Sequence, residues 1–374
     1  MGAGYPLLDI RAPSPTFRES VPLAYVFDAI DGAPGMGAAC TRLALHGLAG
    51  VHWLLLAARQ ATYRAGLAGV TRLPIEVISV GNLSLGGTGK TLAVRRLAHE
   101  LEAAGRRVAI LSRGHGRQSR EEHVVCYGGD RGQPLPCEVG DEPSLLAACL
   151  PEIPVMVGKD RRRTGRTAVA EFGADVLILD DGFQYWRLHR DREIVLLDAL
   201  QPPAREVLFP RGTFREPWSH LRRAHEVWIT HARLAPPARV AFLAEQAARH
   251  APHARVRCTE HHPLHLRSLR GETAPLEALQ GHRILALSGL GNPRQFELML
   301  ESLHLAVTPC RYPDHHRYMP ADIEAIARRL EPGMLCVTTA KDAVRLPEHP
   351  PFPVWVVEVE MVDVPGLAGI SRLP

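Results

Sequence analysis

Residues 81–91 read G-N-L-S-L-G-G-T-G-K-T. Glycines this dense let backbone N–H groups turn inward around a phosphate, because no Cβ blocks the approach. The expected cradle is Gly86, Gly87, Thr88 and Gly89. Lys90 would reach the β- and γ-phosphates of ATP, and Thr91 would hold Mg²⁺ through its hydroxyl. The general pattern G-x-x-x-x-G-K-[ST] wants glycine where Ser84 stands.

Three further groups carry chemistry. Residues 174–181 read A-D-V-L-I-L-D-D, an apolar run ending in Asp180 and Asp181. Carboxylates at such a strand end form the second half of a nucleotide site, one of them binding Mg²⁺ directly or through water. Asp141 and Glu142 precede Pro143, which suits the first turn of a helix. Asp141 then reads as a helix cap, as a carboxylate beside the phosphate site acting as base or metal partner, or as both. Asp314 lies next to His315 and His316 in a proline-flanked loop, offering acid, base and orienting groups together; satisfied loop histidines are the plainer reading. Arg113 and Arg117 flank a glycine loop at a strand end, where ligands gather in an open α/β sheet, or else they are simply solvated.

These residues need a scaffold of alternating strands and helices. Ile75, Val77, Ile78 and Val80 mark a buried strand before the glycine loop, and Leu92, Val94, Leu97 and Leu101 a helix after it. Further strands are expected over residues 107–112, 154–157, 174–181 and 192–198, with an arginine-rich helix from Lys159. Residues 202–223 are rich in Pro and Arg, with F-P-R-G-T-F-R-E-P reading as an ordered functional loop or domain connection. A second α/β region begins at residues 226–230. It continues with a strand and glycine turn over 283–293, a helix from Gln295, a strand over 335–339 and a last strand over 353–359. The expected division is an N-terminal extension (1–35), an apolar and basic helix (36–73), a phosphate-loop lobe (74–222) and a second lobe (223–374).

Residues 43–58 contain no formal charge, and Arg59, Arg64 and Arg72 follow. Sixteen helical residues reach about 24 Å, short of a hydrocarbon core of roughly 30 Å. His46 and His52 also argue against a span, so the stretch reads as a helix lying on or dipping into a membrane, with arginines facing anionic headgroups. A helix buried against the domain is the other reading. Residues 1–20 lack the features of a signal peptide and read as a loose extension.

A length of 374 residues suits two α/β domains. A net charge of +4 with 22% charged residues does not mark a nucleic-acid binder. Seven scattered cysteines without a C-x-x-C pair argue for a reducing compartment and against structural zinc. His261, His262 and His265 read as a surface group. Only Lys90, Lys159 and Lys341 are lysines in an arginine-rich chain, and Lys is a compact point charge where Arg is a fork.

Taken together, G-N-L-S-L-G-G-T-G-K-T, L-S-R-G, G-D-E-P, D-D-G-F-Q, Asp314-His315 and K-D-A-V (341–344) resemble the tetraacyldisaccharide 4′-kinase family, over roughly residues 43–359. The family's loop carries Ser or Thr at position 84. The resemblance implies a P-loop NTPase-like three-layer α/β/α lobe, a second, smaller α/β lobe completing a cleft, and an N-terminal helix on the cytoplasmic face of the bacterial inner membrane. It implies transfer of the ATP γ-phosphoryl group to the 4′-hydroxyl of an acylated disaccharide 1-phosphate, with ATP and Mg²⁺ as cofactors. Nucleic acid and an obligate protein partner are not expected. Carried onto this chain, Lys90 and Thr91 bind phosphates and Mg²⁺, and Asp180 and Asp181 supply metal carboxylates, with Glu142 nearby. Asp141 accepts the sugar hydroxyl proton with help from His315. Arg113, Arg117 and Gln184 are substrate-side candidates. Two departures touch substrate positioning: many relatives have His where Tyr185 stands and an acidic residue where Ala340 stands.

The rival is a membrane-associated switch ATPase of the positioning or partitioning type, which also carries G-G-T-G-K-T. Such loops have a signature lysine where this chain has Leu85, and they lack the Asp141-Glu142 pair and the second lobe.

Overall fold

The computed structural model describes residues 28, 30–117, 119, 123–126 and 136–365. Most of the expected N-terminal extension lies outside them.

One long mixed sheet organises these residues. Its first half contains β1 (Glu76–Asn82), β2 (Val108–Ser112), β3 (His123–Cys126), β4 (Val155–Gly158), β5 (Val176–Asp180), β6 (Arg192–Asp198) and β7 (Glu226–Thr230). In space the order is β3-β4-β2-β5-β1-β6-β7. All neighbours are parallel except β3 against β4. Parallel strands are covered on both faces, so their sequences are continuous apolar runs. Alternation still sorts the side chains. Ile78, Val80, Ile110 and Ile178 pack on one face, and Val77, Ala109, Leu177 and Leu179 on the other.

The sheet does not stop at residues 222–223. β7 pairs parallel with β6, so backbone hydrogen bonding crosses the expected lobe boundary. The change comes inside β8 (Arg255–Ser268). Its first residues pair parallel with β7, and residues from Thr259 onward pair antiparallel with β13 (Val354–Asp363). Beyond β13 the order runs to β12 (Met334–Thr339), β10 (Arg283–Ser288) and β11 (Ala306–Arg311), all parallel. The short β9 (Thr273–Ala274) hangs on β8. Strands β8 and β11 carry Pro263 and Pro309 and were not evident from periodicity.

Helix α1 (Met36–Arg64) stands apart. It is longer than the uncharged stretch alone, about 43 Å at helical rise, and is long and apolar enough to cross a membrane by length and composition. It ends earlier than residue 73, where Gly66 takes the left-handed conformation that terminates helices. Leu43, Leu54, Leu55 and Trp53 are more than half exposed. The reading as a buried helix therefore fails on that face. The opposite face touches protein: Tyr63 meets Trp186 edge-on, the Arg59 guanidinium lies 4.7 Å from the Trp186 ring, and His52 Nδ1 lies 2.9 Å from the Phe209 carbonyl oxygen.

Candidate active site

The phosphate loop joins β1 to α2 (Lys90–Ala103) at the sheet's centre, between β5 and β6. Gly86 and Gly89 adopt φ of 104° and 86°, a region that L side chains rarely enter. Gly81 answers a different need. A Cβ there would lie 2.6 Å from Phe183 Cβ, so glycine lets β1 pass the turn after Asp181. The loop's outer side is held by the proline- and arginine-rich segment: Leu85 N–H donates to the Thr213 carbonyl at 2.7 Å and Arg215 N–H to the Leu83 carbonyl at 2.6 Å.

That clasp delivers Arg215. Its guanidinium forks onto Asp181, Nη1 to Oδ2 at 2.8 Å and Nη2 to Oδ1 at 2.7 Å, and also donates to Asn82 Oδ1. Asn82 is fully buried and ties the loop together. Its Nδ2 donates to Thr88 Oγ1 at 3.0 Å, its Oδ1 accepts from Lys90 Nζ at 3.4 Å, and its carbonyl accepts from Gln184 Nε2 at 3.0 Å. Lys90 Nζ also lies 3.8 Å from Asp181 Oδ1.

The two adjacent aspartates differ in kind. Burial acts to raise the Asp181 pKa, but Lys90, the Arg215 hydrogen bonds and Arg161 outweigh it and hold the carboxyl well below its usual range. Asp181 has φ of 50°, and its carbonyl accepts from the buried Arg161 at 3.0 Å. Asp180 is buried, accepts from Ser112 Oγ at 3.0 Å on Oδ2, and has no partner on Oδ1. Burial first, then the charges of Glu142 and Asp181, push its pKa up to about 7. The Glu142 charge is therefore felt at Asp180. Among the described residues no group of three or more His, Cys, Asp or Glu side chains could hold a metal on its own. A Mg²⁺ site completed by substrate phosphates does not need one.

A second cluster forms around Asp141. The helix α3 (Asp141–Cys149) is preceded by Gly140, and no side chain caps it. The cap reading of Asp141 is thus replaced: its carboxylate turns away to the second half of the chain. Asp141 Oδ2 lies 2.9 Å from His315 Nδ1 and accepts from Arg345 Nε at 2.8 Å. Burial raises the Asp141 pKa, but the His315 hydrogen bond and Arg345 prevail and lower it. On the far side of the ring, His315 Nε2 lies 3.4 Å from Lys341 Nζ, which is 3.6 Å from Asp314 Oδ1. His315 has φ of 59°, a sparsely populated conformation for a residue with a Cβ. Buried Asp342 supports this corner. It accepts from Gly289 N–H at 2.8 Å and Tyr318 OH at 3.0 Å, and lies 3.4 Å from Arg345 Nη1.

Two glycine contacts bring the clusters together. A Cβ on Gly291 would sit 3.0 Å from Asp314 Oδ2 and 3.8 Å from Gly86 Cα, so this turn lays the acid–histidine cluster against the phosphate loop. A Cβ on Gly140 would sit 2.6 Å from the His115 carbonyl, so the basic loop crosses directly under Asp141. Within that loop Arg113 is exposed, and Arg117 Nη1 donates to the Val157 carbonyl at 3.4 Å.

Several partners were not singled out in the sequence. Arg215 lies in a stretch noted only for its composition, and Arg345 follows K-D-A-V by one residue. The histidine reading needs correction. His262 is exposed, but His261 turns inward against the phosphate loop, because β8 switches from β7 to β13 at that level and presents it to Gly89.

A family model described as tetraacyldisaccharide-1-P 4′-kinase matches residues 41–368. The chain is 45% identical over 296 residues to the tetraacyldisaccharide 4′-kinase of Anaeromyxobacter dehalogenans strain 2CP-C, covering 78% of this chain and 77% of that one. It is 42% identical over 305 residues to the enzyme of the same name from Syntrophus aciditrophicus strain SB, covering 78% and 81%. Among solved structures it is similar to LpxK from Aquifex aeolicus, crystallised with ATP, at 29% identity and a TM-score of 0.68, covering 88% of this chain and 98% of that one.

Proposed function

The chain belongs to the tetraacyldisaccharide-1-P 4′-kinase family, and we propose on that premise that it moves the γ-phosphoryl group of ATP to the 4′-hydroxyl of a tetraacyldisaccharide 1-phosphate, a step of lipid A synthesis. The observation that carries the reading is the meeting of the two clusters at Gly291: a phosphate loop on one side, an Asp141–His315 pair on the other. A plain nucleotide switch has no use for the second.

The residues divide the work. Gly86 to Gly89 offer backbone N–H groups to the phosphates, and Lys90, oriented by Asn82 and Asp181, adds positive charge where negative charge spreads. The buried, unpartnered Asp180 Oδ1 fits a cation, and Thr91, Asp180 and Glu142 are the residues that would hold Mg²⁺. Bound there, the ion would neutralise phosphate charge. Asp181 is committed to Arg215 and Lys90, which makes Asp180 the direct metal carboxylate of the two.

Asp141 is the acceptor for the hydroxyl proton. As the sugar oxygen bonds to the γ-phosphorus, the bond to the β–γ bridging oxygen breaks, the proton passes to the Asp141 carboxylate, and ADP leaves. A carboxylate held below its usual range is a weak base. A loose transition state asks for little more, because the nucleophile keeps its proton until late. His315 orients the carboxylate and spreads the arriving charge. Gln184 fixes the loop through Asn82, and Arg113 and Arg117 line the approach for the substrate's 1-phosphate.

The exposed apolar face of α1 supports a membrane contact, and the use of ATP supports the cytoplasmic side. Beside it lies a largely apolar hollow of about 330 Å³ lined by Trp53, Val207, Leu208, Phe214 and Trp218, with Glu206 at its wall, which suits an acyl chain. The test is transfer from γ-labelled ATP to tetraacyldisaccharide 1-phosphate in detergent. Label on the 4′-oxygen is the expected product. ATP hydrolysis stimulated by plain vesicles, with no labelled lipid, would favour the switch ATPase instead.

A further inference from the structure

Against the phosphate loop runs a chain of buried and half-buried polar side chains. Asp198 ends β6, and His231 follows β7 with φ of 56°. His231 Nδ1 lies 2.8 Å from Asp198 Oδ1, and its Nε2 lies 3.0 Å from His261 Nδ1. The two rings are 4.2 Å apart, edge to face. The last atom, His261 Nε2, is buried without a partner and faces Gly89, where a Cβ would stand 2.5 Å away. Burial, then the neighbouring His231, holds the His261 pKa well below its usual value, so this ring is neutral.

The second half of the chain closes the same corner. Gln295, on the helix α4 (Pro293–Ser302), donates from one amide nitrogen to Asp198 Oδ2 at 2.6 Å and to the Gly87 carbonyl at 3.2 Å. Met361 of β13 also reaches the Gly89 position. Two loop glycines, 87 and 89, are thus each met by one member of a single network anchored on Asp198. None of its members lies among the groups assigned to proton transfer or metal binding. An edge-to-face pair of histidines ending on a buried, unsatisfied nitrogen is costly for a merely filling role, since an apolar side chain would pack there without the desolvation.

We propose that His261 is a positioning residue for the phosphate loop, its orientation fixed by His231 and Asp198, and that with Gln295 it sets the backbone of Gly87 and Gly89 for the ATP phosphates. The proposal rests on the ATP-kinase reading above. It makes the network act on ATP and not on the lipid, because Gln295 and His261 reach the loop at Gly87 and Gly89.

The test measures equilibrium binding of Mg²⁺–ATP to the full chain and steady-state constants for both substrates, in the wild type, His261→Ala, His261→Gln and His231→Ala. Removing the His261 ring is expected to weaken ATP binding about tenfold and raise the KM for ATP in parallel, leaving the KM for the acceptor within about twofold. His261→Gln, whose amide nitrogen reaches near the Nε2 position, is expected to recover most of the loss, which a filling role would not. His231→Ala should weaken ATP binding in the same direction. Unchanged ATP binding in a folded His261→Ala, or equal shifts in both KM values, overturns the proposal. So does a His261→Gln variant no better than His261→Ala. A wild type that neither binds ATP nor labels the lipid overturns the kinase reading itself.

Discussion

Asp141 Oδ2 and His315 Nδ1 lie 2.9 Å apart although 174 residues separate them in the chain. Each is put there by a backbone feature, not by its own preference. Gly140 lets the start of α3 pass over the basic loop, and His315, in the left-handed conformation, meets Asp141 from the second half of the chain. Arg345 then fixes the carboxylate from a third element.

The Gly140 crossing can be tested on its own. With φ of 97° and no room for a Cβ beside the His115 carbonyl, Gly140→Ala combines backbone strain with a backbone clash. It should lower stability by about 1–3 kcal/mol and displace Asp141. The denaturation midpoint and turnover are expected to fall together, with ATP binding less affected than turnover because the phosphate loop itself is built elsewhere.

Arg215 should be intolerant of its usual conservative replacement. Its two nitrogens grip both Asp181 oxygens while also serving Asn82. Lysine offers one point charge for that fork. Arg215→Lys is expected to weaken ATP binding about tenfold, the loss of one or two charge-assisted hydrogen bonds. Isothermal titration with ATP checks it.

Asp180 should lower the stability of the nucleotide-free enzyme. Burial, Glu142 and Asp181 raise its folded pKa to about 7, above an unfolded value of about 4. The folded state therefore holds the proton more tightly, and stability falls as pH rises from about 4 to about 7. Asp180→Asn removes that loss. Without nucleotide, its melting temperature should exceed the wild type's by a margin that grows over this window and is constant above it. Transfer activity should collapse at the same time, a trade of function for stability. Thermal melts at pH 5 and pH 8 make the comparison.

Much of the centre was legible because phosphate chemistry writes itself locally. The glycines, Lys90 and Thr91 are contiguous, and Asp180 and Asp181 end an apolar strand, so type and spacing suffice. The supporting residues are not local. Arg215 and Arg345 are two among many arginines, and only the clasp along residues 213–215 and the turn of Asp342 single them out. Periodicity likewise missed the change of partner inside β8. That change hid the inward face of His261, which in sequence is one of three histidines within five residues. Residue composition carries no record of which side of a strand faces a loop from another part of the chain.

In the proposed reaction Asp141 and His315 act as one unit in proton removal from the sugar hydroxyl. The direct measurement is the single-turnover rate of phosphoryl transfer to tetraacyldisaccharide 1-phosphate at saturating ATP, in the wild type, Asp141→Asn, His315→Ala and the double variant. Each single change should slow transfer by about 10²–10⁴-fold, with ATP binding retained and the double variant little slower than the worse single. Losses that multiply in the double variant, or a fast Asp141→Asn, would contradict the account.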